Sequence, residues 1–197
     1  MHSAGCGCKE EHELGASSSC LRGQINLEAV RVFNSDSRPE DGKLVFKPYN
    51  QRLSEGTLRN DPTSDIELLF TIPFFNPSEI AHLLVVNEGE EVLDVKLYVN
   101  RPHFDFSDIG VVNPTLELQI PPDIHGSFLH KLSLTKFRDV TDLAIYFAGT
   151  KSVILRYIGL RGKARVQQAN VVHAKYEVVP TTSFQESLEE VKHLRYV

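Results

Sequence analysis

From Arg22 onward the chain is built of short segments in which apolar residues recur at every second position. That spacing gives an extended strand one dry face and one wet face. Ile25, Leu27 and Ala29 alternate with Asn26 and Glu28, and Val95, Leu97 and Val99 alternate with Asp94, Lys96, Tyr98 and Asn100. Leu116, Leu118 and Ile120 repeat the pattern, as do Leu132 with Leu134, then Leu143, Ile145 and Phe147, then Val172, Ala174, Tyr176 and Val178. Leu68–Ile72 and Ile80–Val86 are more continuously apolar and predict central strands buried on both sides. Pro73 and Pro77 should close off the first of these and force an irregular link through Phe74 and Phe75, because proline donates no ladder hydrogen bond. About nine such strands separated by turn clusters, with no long amphipathic helix inside the body, predict an all-β fold, a jelly-roll-like antiparallel β-sandwich.

One short helix is expected at the C-terminal end. Ser183 and Glu186 form a capping box, and Phe184, Leu188 and Val191 share a face. That face either docks on the sandwich or serves as an arm for a partner's groove. The expected organisation is a flexible Cys/His/Gly-rich leader over residues 1–20, a β-sandwich domain over 21–180 and a C-terminal helix or tail over 181–197.

A chain of 197 residues, 41% of them hydrophobic, is long enough for one domain with a real core. No apolar run approaches the ~20 residues that cross a bilayer, so no membrane span is expected. The N-terminus lacks the basic patch and apolar stretch of a secretory signal. A cytoplasmic and nuclear location is expected on that ground. Cys6, Cys8 and Cys20 all fall in the leader, so packing rather than a disulfide framework must hold the fold. With His12, and His2 as a fifth donor, they form a weak set of zinc or copper ligands, crowded rather than arranged as two spaced pairs. The competing reading is a reduced, flexible leader, and no metal or cofactor is expected.

Catalytic signatures fail one by one. There is no Gly-x-Ser-x-Gly elbow, no paired-His zinc helix and no Cys-x-x-Cys, and Gly149-Thr150-Lys151-Ser152 lacks the upstream glycine and the Gly-Lys pair of a phosphate loop. His125, Ser127 and His130 lie together after two prolines but have no orienting acid at a fixed offset. Asp105 and Asp108 are too few carboxylates for a calcium loop. The chain is therefore expected not to be an enzyme. Leu143–Tyr176 carries Lys151, Arg156, Arg161, Lys163, Arg165 and Lys175 and no acid, within a net charge of −5. Such a stretch is either a solvated face or a surface that steers an acidic partner.

Four stretches carry a resemblance to a known family. Asp65–Phe70 reads Asp-Ile-Glu-Leu-Leu-Phe, with Leu68 and Leu69 as its Leu-Leu strand; before it stands Phe46-Lys47-Pro48-Tyr49. Asn100-Arg101-Pro102 is followed by Phe106 and Asp108, and Tyr157-Ile158-Gly159-Leu160-Arg161-Gly162 closes the series. Together they resemble the PITH domain, over about Leu21 to Val179. The Cys-x-Cys leader is similar to that of members carrying the domain alone, not behind a thioredoxin-like redox domain. Ile66, Tyr49 and Ala164 depart from the family pattern. The resemblance implies a sandwich related in shape to galactose-binding modules and a link to the 26S proteasome.

Among the matching residues, Gly159 and Gly162 suit a bulge or a tight turn with unusual dihedrals, and Asn100 with Pro102 suits a strand-ending turn. Arg161, between two glycines of a basic stretch, can pair with a partner's carboxylate or with an acid of its own sandwich such as Asp65. Arg156, Lys163 and Arg165 join it as candidate partner-binding residues. The leading expectation is a protein-interaction module whose partner is the proteasome's regulatory particle. A small-ligand or carbohydrate-binding module is the alternative, weakened by the absence of Trp. Nucleic-acid binding ranks below both, since strand alternation should turn Tyr146 outward but Phe147 inward and so interrupt a stacking platform.

Overall fold

The computed structural model describes residues 19–165. The expected ligands Cys6, Cys8 and His12, the segment Val172–Val178 and the helix from Ser183 lie outside the described residues.

Nine strands make up the described body: β1 (Ser19–Cys20), β2 (Arg31–Phe33), β3 (Leu58–Arg59), β4 (Glu67–Asn87), β5 (Leu93–Val99), β6 (Leu116–Ile120), β7 (Leu129–Lys131), β8 (Val140–Ala148) and β9 (Ile154–Ala164). Every strand pairing is antiparallel. The nine strands share one hydrogen-bonded network, which the long β4 divides into a first and a second sheet. The first half of β4 pairs with β2 and β8, and β8 continues through β5 to β6. Its second half pairs with β7 and β9, and β9 also carries the short strands β1 and β3. Leu68, Phe70 and Ile72 from the first half, Leu143, Ile145 and Phe147 of β8, and Ile80, Leu83, Val85, Ile158 and Leu160 of the second sheet meet in one core. Two sheets packed on a shared apolar layer are the expected β-sandwich. The ring of Phe70 stands edge-on to Phe46 and Phe147, at 6.4 and 5.9 Å between centroids. Among the described residues no helix is long and apolar enough to cross a membrane.

Three local expectations change. Pro73 and Pro77 do not end a strand. Between Pro73 and Ser78 the register with β8 shifts while β4 itself stays extended, so the prolines sit where β4 leaves one sheet for the other and a missing donor breaks no ladder. Ile25–Ala29 is not a strand: after the 3-10 turn Arg22–Gln24, Ile25 makes an isolated bridge to Phe74, and Leu27–Ala29 is a second 3-10 turn. Its backbone is satisfied locally, as in Ala29 N–H to Asn26 O at 3.0 Å, while Leu21, Ile25 and Val30 still reach the core. At Leu132–Leu134 only Leu132 is buried; β7 ends just before it, and the chain turns at Ser133 to insert Phe137 instead.

Each face of the body has its own covering. Outside the first sheet, Leu69, Tyr98 and Ala144 are roofed by Phe104 and its neighbours. The turn there explains Asp105 and Asp108. Asp105 accepts from Ser107 N–H at 2.7 Å and Asp108 accepts from Asp105 N–H at 3.1 Å, so both carboxylates close their own 3-10 turn. Outside the second sheet lies a smaller apolar cluster of Leu84, Val86 and Tyr157, with Tyr49 against it.

Candidate functional site

Two bulges decide what the second sheet turns outward. Ile80 pairs with Gly162 and His82 with Arg161, leaving Ala81 as an extra residue in β4. Val86 pairs with Tyr157 and Asn87 with Leu155, leaving Arg156 as an extra residue in β9. Each extra residue reverses the in-and-out alternation beyond it. Leu155, Ile158 and Leu160 therefore share the core, whereas Tyr157, Gly159 and Arg161 face outward. In β4, Ile80, Leu83 and Val85 face in while His82, Leu84 and Val86 face out.

The outward residues line up in rows across the strands. Lys131, His82, Arg161 and Cys20 form one row, through the pairs Lys131–His82, His82–Arg161 and Arg161–Cys20. Leu129, Leu84 and Gly159 form the next. Burial first, then the charges of Arg161 and Lys131, hold His82 below its ordinary value. The cations of this row are therefore Lys131 and Arg161.

Two segments stand over these rows. One is the stretch around the 3-10 turn Tyr49–Gln51, followed by Arg52. The Arg52 guanidinium lies 4.2 Å above the Tyr49 ring, and its Nε and Nη1 donate to His125 O at 3.1 Å and Tyr49 O at 3.3 Å. Neither bond uses Nη2. The segment is tied down by Lys47, which donates to Ser54 O and Gly56 O, and by Arg156, which donates to Leu53 O and Ser54 O and pairs with Glu88.

The second segment, residues 123–128, is organised by one carboxylate. Asp123 is 7% exposed; its Oδ1 accepts from His125 and Gly126 N–H at 3.2 and 2.9 Å, and its Oδ2 from Ser127 and Phe128 N–H at 2.6 and 2.9 Å. Gly126 has φ +68°, and a Cβ there would lie 3.0 Å from Val86, so only glycine lets the loop settle on the sheet. With its base spent this way, the loop presents Ile124 and Phe128, 56% and 54% exposed.

Between the segments opens a cavity of about 350 Å3. Leu84 and Arg161 line it from the sheet, Tyr49 and Arg52 from one segment, and His125, Gly126, Ser127 and Leu129 from the other. No acid lines it. Arg161, 2% exposed, is the most deeply buried charged residue of its lining.

The remaining basic candidates are scattered. Arg156 tethers the 53–54 backbone, Arg165 pairs with Asp139 at 2.7 Å, and Lys163 stands exposed opposite Glu79. Arg161 and Asp65 do not form the internal pair suggested by the sequence, since Asp65 is exposed ahead of the first sheet and Arg161 faces out from the second. Among the described residues no hydrogen bond joins Ser127 Oγ to His125 or His130, and no group of three His, Cys, Asp or Glu side chains gathers as a metal site. Cys20 stands in β1 across from Arg161.

A family model of the PITH domain matches residues 11–180. The chain belongs to the PITH domain family. It is 29% identical to PITH domain-containing protein 1 of Xenopus laevis, over 82% of this chain and 80% of that protein. It is 31% identical to the Danio rerio protein of the same name, over 71% and 68%, and 28% identical to a PITH domain-containing protein of Schizosaccharomyces pombe, over 92% and 91%. Among solved structures it is similar to a pectin-binding carbohydrate-binding module (TM-score 0.41, 13% identity, 67% of this chain and 88% of that one). It is also similar to an F5/8 type C domain from Bacteroides fragilis (TM-score 0.41, 12% identity, 77% and 100%).

The PITH motifs can now be placed. Leu68 is in the core and Leu69 under the outer roof of the first sheet. Asn100, at φ +55°, ends β5: it donates to Asp139 O and accepts from Thr141 N–H, and Pro102 follows in the turn. Gly162 sits at a bulge, whereas Gly159 lies in the regular ladder opposite Leu84; neither has a left-handed φ, and both are close approaches. A Cβ on Gly159 would lie 2.6 Å from the Tyr157 hydroxyl, and one on Gly162 would overlap Glu79 O. Arg52, Asp123, Ile124 and Phe128 escaped the sequence reading. Only the two prolines ahead of His125 hinted at them.

Proposed function

We propose that this PITH domain is a non-catalytic adaptor that docks a protein partner on the outer face of its second sheet, the partner being the regulatory particle of the 26S proteasome. The observation that carries the docking face is the loop held by Asp123. Four backbone N–H groups converge on one buried carboxylate, so Ile124 and Phe128 are presented to solvent with little ordering left to lose on binding. Exposed apolar side chains beside a water-accessible cavity are the surface from which interaction hot spots are made. Membership in the family supports the adaptor reading, and the family resemblance is what points to the proteasome.

A carbohydrate module gains nothing from this site. Arg52 covers one face of the Tyr49 ring, and the ring packs against the cluster of Leu84, Val86 and Tyr157, so it offers no open stacking platform.

The test is affinity capture from cell extract with the intact chain and with Phe128→Asp, whose exposed position leaves the core untouched. Proteasome regulatory subunits retained by the first and lost by the second support the adaptor and its docking face. Failure of the intact chain to retain them overturns the proteasome assignment.

A further inference from the structure

The lining of the cavity says more about the partner than the apolar rim does. Arg52 and Ser127 border a space of about 350 Å3 that, among the described residues, no acid lines. Arg52 is fixed by its bonds to His125 O and Tyr49 O and by the ring beneath it, and keeps Nη2 outside both bonds. Such a group is oriented before any ligand arrives. The N–H groups of residues 125–128 are taken up by Asp123. Sites for dianionic phosphate use backbone N–H groups of that kind, and here they are spent on the Asp123 carboxylate. A single negative charge on a planar group suits the site better.

We propose that the cavity receives one carboxylate side chain from a partner peptide, held by Arg52 and Ser127, while apolar residues flanking that carboxylate pack on Ile124 and Phe128. This rests on the docking face proposed above and names the chemistry it selects: an acidic residue between apolar ones.

The experiment is an amide chemical-shift titration of the intact chain with three capped pentapeptides. Their central residue, set between leucine and phenylalanine, is glutamate, glutamine or phosphoserine. The glutamate peptide is expected to move the signals of Arg52 and residues 124–129 and to bind about tenfold tighter than its glutamine counterpart, the ratio of one charge-assisted contact. Arg52→Gln should erase that preference. Equal binding of the two peptides overturns the carboxylate pocket, as does shift movement confined to another face, or tighter binding of phosphoserine. These comparisons on the intact chain need no variant to fold. Equal binding combined with capture that still depends on Phe128 removes the pocket alone; capture indifferent to Phe128→Asp removes the docking face and the pocket together.

Discussion

Gly162 and Asp123 show how single residues act here through what crosses them. Gly162 meets the carbonyl of Glu79 so closely that a methyl group has no place to stand. Gly162→Ala must push two paired strands apart, and a loss of about 3 kcal/mol is expected, read as a lowered urea midpoint. Asp123→Asn is subtler. Asparagine keeps one acceptor oxygen and turns an NH2 toward two of the four N–H donors. We expect a cost of about 1–3 kcal/mol, with hydrogen exchange accelerated at one pair of amides of the loop and protection kept at the other. The sequence offered a glycine and an aspartate after two prolines. Neither announces a backbone contact from a strand some eighty residues away or a fourfold acceptor, because both depend on groups that only the folded chain brings near.

At the scale of elements, the strands with one wet face were legible, and those buried on both faces were legible as apolar runs. The bulges were not. Period-two reading of β9 from Leu155 puts Arg161 on the core side, while Arg156, the extra residue, turns it outward. A bulge is set by the register of the partner strand, so one strand's pattern cannot reveal it. Deletion of Arg156 should restore a regular ladder and leave every side chain on its present face. The expected cost is about 1–3 kcal/mol from the lost bonds to Leu53 O, Ser54 O and Glu88. Deletion of Gly159 should instead reverse the faces around it, driving Leu160 out and disrupting the core. Circular dichroism with urea denaturation separates the two: the first variant melts cooperatively, and the second does not fold.

For the molecule as a whole, pH should reveal how its faces are covered. Burial and neighbouring cations lower His82, and burial lowers His130. A base whose folded value lies below its unfolded one contributes stability that is complete above the unfolded value, near pH 6.5, and that declines as pH falls below it. Glu91 acts at lower pH. The Thr150 hydroxyl and the N–H groups of Thr150, Lys151 and Ser152 hold it at about 2, against an ordinary 4.5. Its contribution is present above 4.5 and lost as pH falls toward 2. The urea midpoint should therefore be level at neutral pH, fall once below about 6.5 and again below about 4.5. His82→Gln should shrink the first step to the part owed to His130, and Glu91→Gln should shrink the second while lowering stability at neutral pH.

The sequence by itself determined the all-β class, the strands and many of the core residues, because the period of apolar residues is a local property that burial enforces wherever the strand goes. It also carried the motifs by which the family is known. Only the tertiary structure decided that β4 serves two sheets, that Arg161 faces outward and that Arg52 meets the Asp123 loop over a cavity. Those outcomes depend on register, bulges and crossing backbones, which are relations between segments distant in sequence.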